Sequence, residues 1–160
     1  MNEGADSGDI LSQQKIDILD KDDATILYEK VTICALEQIK IFIPQLNSRS
    51  FPRTIQNNGQ ANTWRRRGEA DGKIDWKMSA RSIHNLVRGL TKPYVGAHFL
   101  YQEQIFKVWK TAVVNDTPEN IEPGKILSIK EGIVMVKCGE QGIRLLNTAP
   151  EFEPSHGEYL

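Results

Sequence analysis

Between Phe99 and Leu146 the chain breaks into five short apolar runs: Phe99 to Tyr101, Ile105 to Val114, Lys125 to Ile129, Ile133 to Cys138 and Ile143 to Leu146. This pattern constrains the fold more than any other feature. The runs have strand length and β-branched content, and Gln102-Glu103, Asn115 to Gly124, Lys130 to Gly132 and Gly139 to Gly142 between them read as turns. Five such strands with glycine-bearing connections predict a small antiparallel barrel, for which an OB-like barrel is the best match in size. Alternation from Phe106 puts Val108 and Lys110 on its face and Trp109 with Lys107 on the other, so no aromatic platform for stacking bases is expected.

Upstream the period is helical. Ile26, Leu27, Val31, Cys34, Ala35 and Ile39 recur at helical spacing behind Asp20, Asp22 and Asp23, which predicts a helix from about Asp23 to Ile43, ended by Pro44. From Gln45 to about Gly59 the chain is polar, with Pro52 and Asn57-Asn58-Gly59, and reads as a linker near a domain boundary. A second, shorter helix carries Ala80, Ile83, Leu86, Val87 and Leu90 on one face, with Ser79 as N-cap and Pro93 beyond its end. The segment after Pro150 is expected to fray.

Composition excludes several classes. Twenty basic against 21 acidic residues give a net charge of -1, with no global attraction to nucleic acid or membrane. Cys34 and Cys138 lie in apolar stretches without metal-ligand spacing and read as buried free thiols, so no metal site is expected. No apolar run approaches the roughly 20 residues that span a bilayer. The first residues have neither a basic n-region nor an apolar h-region, and a reducing cytoplasm fits best.

The order of particular residues adds to this. Gly4-Ala5-Asp6-Ser7-Gly8-Asp9-Ile10-Leu11 resembles the Asp-x-Gly loop of 10-formyltetrahydrofolate-dependent formyltransferases, and Asp23-Ala24-Thr25-Ile26-Leu27-Tyr28 resembles the start of the long helix that follows it. Asp71-Gly72-Lys73-Ile74-Asp75-Trp76, Ala80, Ile83-His84-Asn85, Val87-Arg88 and Pro93-Tyr94-Val95-Gly96-Ala97 match, in order and spacing, the family's junction into its C-terminal barrel. Val95 stands where a proline is usual. The resemblance implies an α+β chain: residues 1–47 as the end of the α/β catalytic domain (strand and helix), 48–92 as linker and junction helix, 93–150 as OB-like barrel and 151–160 as flexible tail.

It also implies a chemistry. The acceptor's amine attacks the formyl carbon of the cofactor, an upstream Asn-x-His pair stabilises the oxyanion, and the loop aspartate, Asp6 here, orients that His and manages the proton. None of His84, His98 and His156 is preceded by an Asn two residues earlier, so the pair and most of the binding region for 10-formyltetrahydrofolate are expected upstream. The chain then reads as a truncated or split frame, an excised piece or a binding remnant, and formyl transfer by it alone is not expected. A separately encoded N-terminal catalytic half would be its partner.

Other residues have two readings each. Asp6 in a Ser-Gly turn also suits a plain Asx turn. Arg65, Arg66 and Arg67 suit a diphosphate or a tRNA end as substrate-binding groups, or else a solvated linker paired with Glu69 and Asp71. Trp64 stacks on a base or, in the favoured reading, packs at the domain boundary. Tyr94 and Tyr101 line an acceptor groove or pack at the barrel edge. Asp75 and Trp76 fix the lead-in to the junction helix, on which Asn85 and Arg88 share a face. In the resembling enzymes an Arg there can pair with a carboxylate across the junction. Lys107, Lys110, Lys125, Lys130, Lys137 and Arg144 are offset by Glu103, Glu119, Glu122, Glu131 and Glu140, a weakly basic barrel at best. That balance and Thr91-Lys92-Pro93-Tyr94 lean toward a nucleotide-linked amino sugar as acceptor. Methionyl-tRNA, and a non-catalytic OB-like binding module, are the alternatives.

Overall fold

The structure, a computed structural model, describes residues 6–160. Gly4 and Ala5 of the aspartate loop lie outside the described residues. The chain divides into two compact units, one of residues 6–21 and 26–66, the other of 22–25 and 67–160.

The first unit is built on α1 (Ala24–Asn47). The sequence predicts a stop at Pro44, but the helix runs one turn further with Pro44 inside it. Proline forfeits one hydrogen bond and clashes with the preceding turn, yet this end of α1 is exposed and the freed carbonyl is open to water. The actual stop lies beyond. Arg49 takes a left-handed φ of 55°, its N–H donates to the Leu46 carbonyl, and the Ser50 N–H donates to that of Gln45. This is the Schellman arrangement, with arginine where glycine is usual. Within the same unit, Ile10 and Thr54 exchange two backbone hydrogen bonds of 2.8 and 3.0 Å.

The second unit holds α2 (Ala80–Leu90) and five strands: β1 (Ala97–Tyr101), β2 (Gln104–Val114), β3 (Ile126–Lys130), β4 (Ile133–Lys137) and β5 (Gly142–Ala149). All ladders are antiparallel, in the order β1-β2-β5-β4-β3. The expected closed barrel is not what these ladders form: β1 and β3 are the two edges, and the sheet is open. Ser79 caps α2 as expected, its Oγ accepting the Ser82 N–H at 3.1 Å. The helix buries Ala80, Ile83 and Val87 against a core of Ile74, Trp76, Phe99, Phe106, Val108, Ile126, Val134, Val136, Ile143, Leu145 and Phe152.

Simple alternation fails in β2. Register shifts between Val108 and Lys110 and between Lys110 and Thr111 turn Thr111, not Lys110, inward with Phe106 and Val108. The bulge sits beside Trp109, whose ring packs on Gly96 so closely that a Cβ there would lie 2.9 Å from it. The last residues are tied along the edge of β3: Ile126 donates to the Glu158 carbonyl, Gly157 to that of Ile126 and Leu160 to that of Gly124. The β3 edge thus finds backbone partners in a segment for which the sequence predicts only a frayed tail.

Two turns carry the backbone at its limits. At Gly139 the N–H bonds the carbonyls of Trp76 and Met78, both at 2.9 Å, and an added Cβ would stand 2.0 Å from the Lys77 carbonyl oxygen. At the β1–β2 hairpin Gln102 and Glu103 both have left-handed φ, 47° and 64°, without a glycine, whereas the β3–β4 hairpin uses Glu131-Gly132. Urea unfolding should therefore show Gly139→Ala losing about 3 kcal/mol through backbone overlap, and Glu103→Gly gaining roughly 1 kcal/mol by relieving the left-handed cost.

Candidate functional site

In the first unit the Asp6 loop is held by its main chain. Gln56 donates to the Asp6 carbonyl at 2.8 Å and to the Gly8 carbonyl at 2.5 Å. Asp9 receives Arg53 through Nε and Nη2, both at 2.9 Å. Asp6 itself has a left-handed φ of 55° and is exposed. The loop is thus anchored at Asp6 and on the three residues that follow it, by contacts from residues 53–56. Sequence reading missed Arg53 and Gln56, because a linker's side chains carry no periodic signal.

The basic cluster is exposed throughout. Arg65 reaches the Arg66 carbonyl at 3.5 Å, a marginal contact. Trp64, expected to pack at the boundary, is 77% exposed, its indole N–H bonded to Asn62. Asp6, Arg65 and Arg66 belong to the first unit, and Arg67 and Tyr94 to the second.

The second unit holds the junction residues. Asp75 accepts the Lys77 N–H at 2.9 Å in an Asx turn, and Trp76 is buried edge-on to Phe99 with centroids 5.5 Å apart. Asn85 accepts from Arg88 Nε at 2.8 Å, and Arg88 Nη1 donates to the Asp22 carbonyl, also at 2.8 Å. Asp22 is buried. One guanidinium therefore joins α2 to the residues just before α1. Thr25 adds a second link by donating to the Lys92 carbonyl. Tyr94 is exposed on the loop after α2, where Lys92 Nζ lies 5.9 Å from the centre of the Trp109 ring.

Several titratable groups had no signal in the sequence. Lys137 is buried, its ammonium donating to the Cys138 carbonyl at 2.9 Å and, at 3.4 Å, to that of Gln141. Burial pushes the Cys138 thiol up to about 12, so it stays protonated and is a poor nucleophile. Both cysteines are buried and unpaired. His98 is buried with Nδ1 lacking a hydrogen-bond partner, beside Gly72. Burial first, then the Lys107 charge, hold its pKa below the usual imidazole value; Lys73 adds to this and Glu69 opposes it. Glu69 is bonded to Lys107 at 2.7 Å, which lowers its own pKa.

The family described as formyl transferase, C-terminal domain, matches residues 68–153, which take in α2 and all five strands. This chain belongs to that family. Among solved structures, HypX from Aquifex aeolicus in complex with tetrahydrofolic acid shares the fold at TM-score 0.65 and 16% identity, over 92% of this chain and 25% of that one. The N-formyltransferase from Helicobacter canadensis in complex with folinic acid and dTDP-3-aminofucose matches at 0.65 and 21%, over 91% and 52%. Methionyl-tRNA formyltransferase from Clostridium thermocellum matches at 0.57 and 20%, over 73% and 49%. The chain spans about a quarter of HypX and about half of each of the other two. Among the described residues, no helix is long and apolar enough to cross a membrane.

The buried imidazole has a measurable consequence for this C-terminal domain. Its folded pKa lies below the unfolded value of 6.5, so the unfolded chain takes up the proton first. The contribution of His98 is full above about pH 6.5 and is lost as pH falls through the folded value. Thermal unfolding from pH 8 to pH 5 should show falling stability, and His98→Gln should flatten the part of that slope below pH 6.5.

Proposed function

We propose that the chain forms part of an enzyme that moves a formyl group from 10-formyltetrahydrofolate to the amine of a nucleotide-linked amino sugar. The observation that carries the class is the family match over residues 68–153. The likeness to proteins crystallised with tetrahydrofolic acid or folinic acid supports a folate donor. The residues present fit that donor only in part. They offer one loop carboxylate, Asp6, and no Asn-x-His, so the donor would be held mainly by other polypeptide. In this reading Asp6 is the proton-managing carboxylate, residues 1–47 end the catalytic domain, and the five-stranded sheet with the last residues along β3 is an OB-like module.

The apolar helix supports the need for further polypeptide. Ile26, Tyr28, Val31, Ile33, Leu36, Ile39, Ile41, Ile43 and Leu46 step round the whole circumference of α1 and are all exposed. Glu29, Lys30, Glu37 and Lys40 give α1 one charged face, but so wide an apolar surface elsewhere suits a helix with a partner over it, and the catalytic half supplies that cover in this reading.

Charge favours the sugar over tRNA. Of the six cations on the sheet module, Lys137 is buried on carbonyls and Lys107 is bound to Glu69. That leaves too few to make the positive stripe that counterion release from RNA requires. A base-stacking module fares no better, since Phe99 and Phe106 are in the core. Arg65, Arg66, Arg67 and Tyr94 are the groups proposed to meet the acceptor's diphosphate and sugar. The test is formyl transfer to dTDP-linked amino sugars and to methionyl-tRNA, with the chain alone and with the catalytic half of a related enzyme. Activity toward the sugars with the added half is expected, and Asp6→Asn should lower kcat by about a hundredfold or more. Transfer to tRNA in preference would replace the acceptor assignment, and silence with both acceptors would remove the enzyme reading.

A further inference from the structure

A recess of about 490 Å³ opens beside the β1–β2 hairpin, on the segment that follows β5, and no part of the proposed formyl transfer uses it. Its floor is aromatic. Tyr101, Phe106 and Phe152 meet pairwise at steep angles of 62° to 84°, with centroids 4.9 to 6.3 Å apart. The remaining lining is Gln102, Gln104, Pro150 and the exposed carboxylates Glu151 and Glu153, and no basic side chain is among it. The Tyr101 hydroxyl is already engaged, donating to Glu158 and accepting from Gln102 at 3.0 Å. The phenol is therefore fixed in orientation and leaves its ring as the surface offered to a ligand.

We infer that this recess binds an organic cation, an alkylammonium group whose chain lies along the half-buried Tyr101 ring, above the buried edges of Phe106 and Phe152, and whose charge meets Glu151 and Glu153. Each part of the lining answers to one part of such a ligand. Its volume lies within the range of small-molecule sites. The Tyr101 ring attracts a cation within about 6 Å of its centroid, and the methylenes of an alkylamine gain from leaving water on the same surface. The two carboxylates lie next to one another but for Phe152 and give the mouth a negative field. That field repels phosphates and carboxylates, so neither a nucleotide-linked sugar nor a folate with its glutamate tail suits this recess. The hairpin shaping its rim is held in the left-handed region at Gln102 and Glu103 without glycine, the kind of local cost that persists where a surface is used.

The experiment uses the full chain, labelled with 15N, and follows its amide resonances during titration with 1,5-diaminopentane, with Nα-acetyl-lysine methylamide and, as an anion of similar length, hexanoate. Shifts confined to Tyr101 to Phe106 and Glu151 to Glu153 are expected with both amines and not with hexanoate. Saturation with the free diamine at lower concentration than with the lysine amide would point to a small metabolite, and the reverse order to a lysine side chain. The double variant Glu151→Gln and Glu153→Gln should weaken binding about tenfold, the loss expected for two exposed ion pairs, and added salt should do the same in the parent. Both glutamates are exposed, so the variant keeps its fold, which its unshifted remaining resonances verify. Absence of shifts with either amine, equal shifts with hexanoate, or amine binding unchanged in the double variant would overturn the inference. None of these outcomes depends on formyl transfer.

Discussion

The second unit depends on the approach of two backbones at Gly139. There the residues leading into α2 lie directly on the β4–β5 connection, close enough that the Lys77 carbonyl occupies the place of a side chain. The Gly139 N–H satisfies the carbonyls of Trp76 and Met78, and the Glu140 carbonyl takes the first N–H of α2 from Ala80. This contact seats Trp76 on Phe99 and so sets where the helix lies on the sheet. The same corner holds the buried Lys137 ammonium, which donates to the Cys138 and Gln141 carbonyls on either side of Gly139. A buried charge is tolerated only with such partners. Here the charge also rigidifies the turn against which the helix is placed.

Much of this unit was legible beforehand, for a physical reason. Strand and helix periods are written by the core itself, so the five strands and the Ser79-capped α2 can be read from the spacing of Ile83, Val87, Val108, Val134, Val136 and Ile143. The ordered junction residues likewise announced the family, because several short motifs in register are improbable together. What escaped was set by single tertiary contacts. The bulge at Trp109 answers to Gly96, one step beyond the Ala97–Val108 pair of the β1–β2 hairpin, and the last residues answer to the edge of β3. Pro44 misled because the rule that proline stops helices assumes a carbonyl that must be satisfied internally, and an exposed one need not be.

The candidate site was less legible than the fold. Asp6 could be singled out only by resemblance, since an aspartate in a turn has an ordinary explanation. Its anchors, Arg53 and Gln56, lie in a stretch that looks like plain linker. Trp64 was misjudged for a related reason: an indole beside arginines suits packing and exposure equally well, and only coordinates separate the two.

The distribution of charge over the C-terminal domain carries the functional argument further than its net value does. Lys107 is spent on Glu69, Lys137 on carbonyls, and Lys92 lies over Trp109, so the domain presents fewer free cations than its composition suggests. Glu151 and Glu153, by contrast, stand exposed around an aromatic recess. A polyanion such as tRNA would find little to neutralise its phosphates on the sheet and a repulsive mouth at one end of it. In the proposed reading the acceptor's diphosphate meets only the separate arginine run 65–67 and is free of that conflict. The same asymmetry lets one domain carry both a structural junction and a recess of opposite polarity.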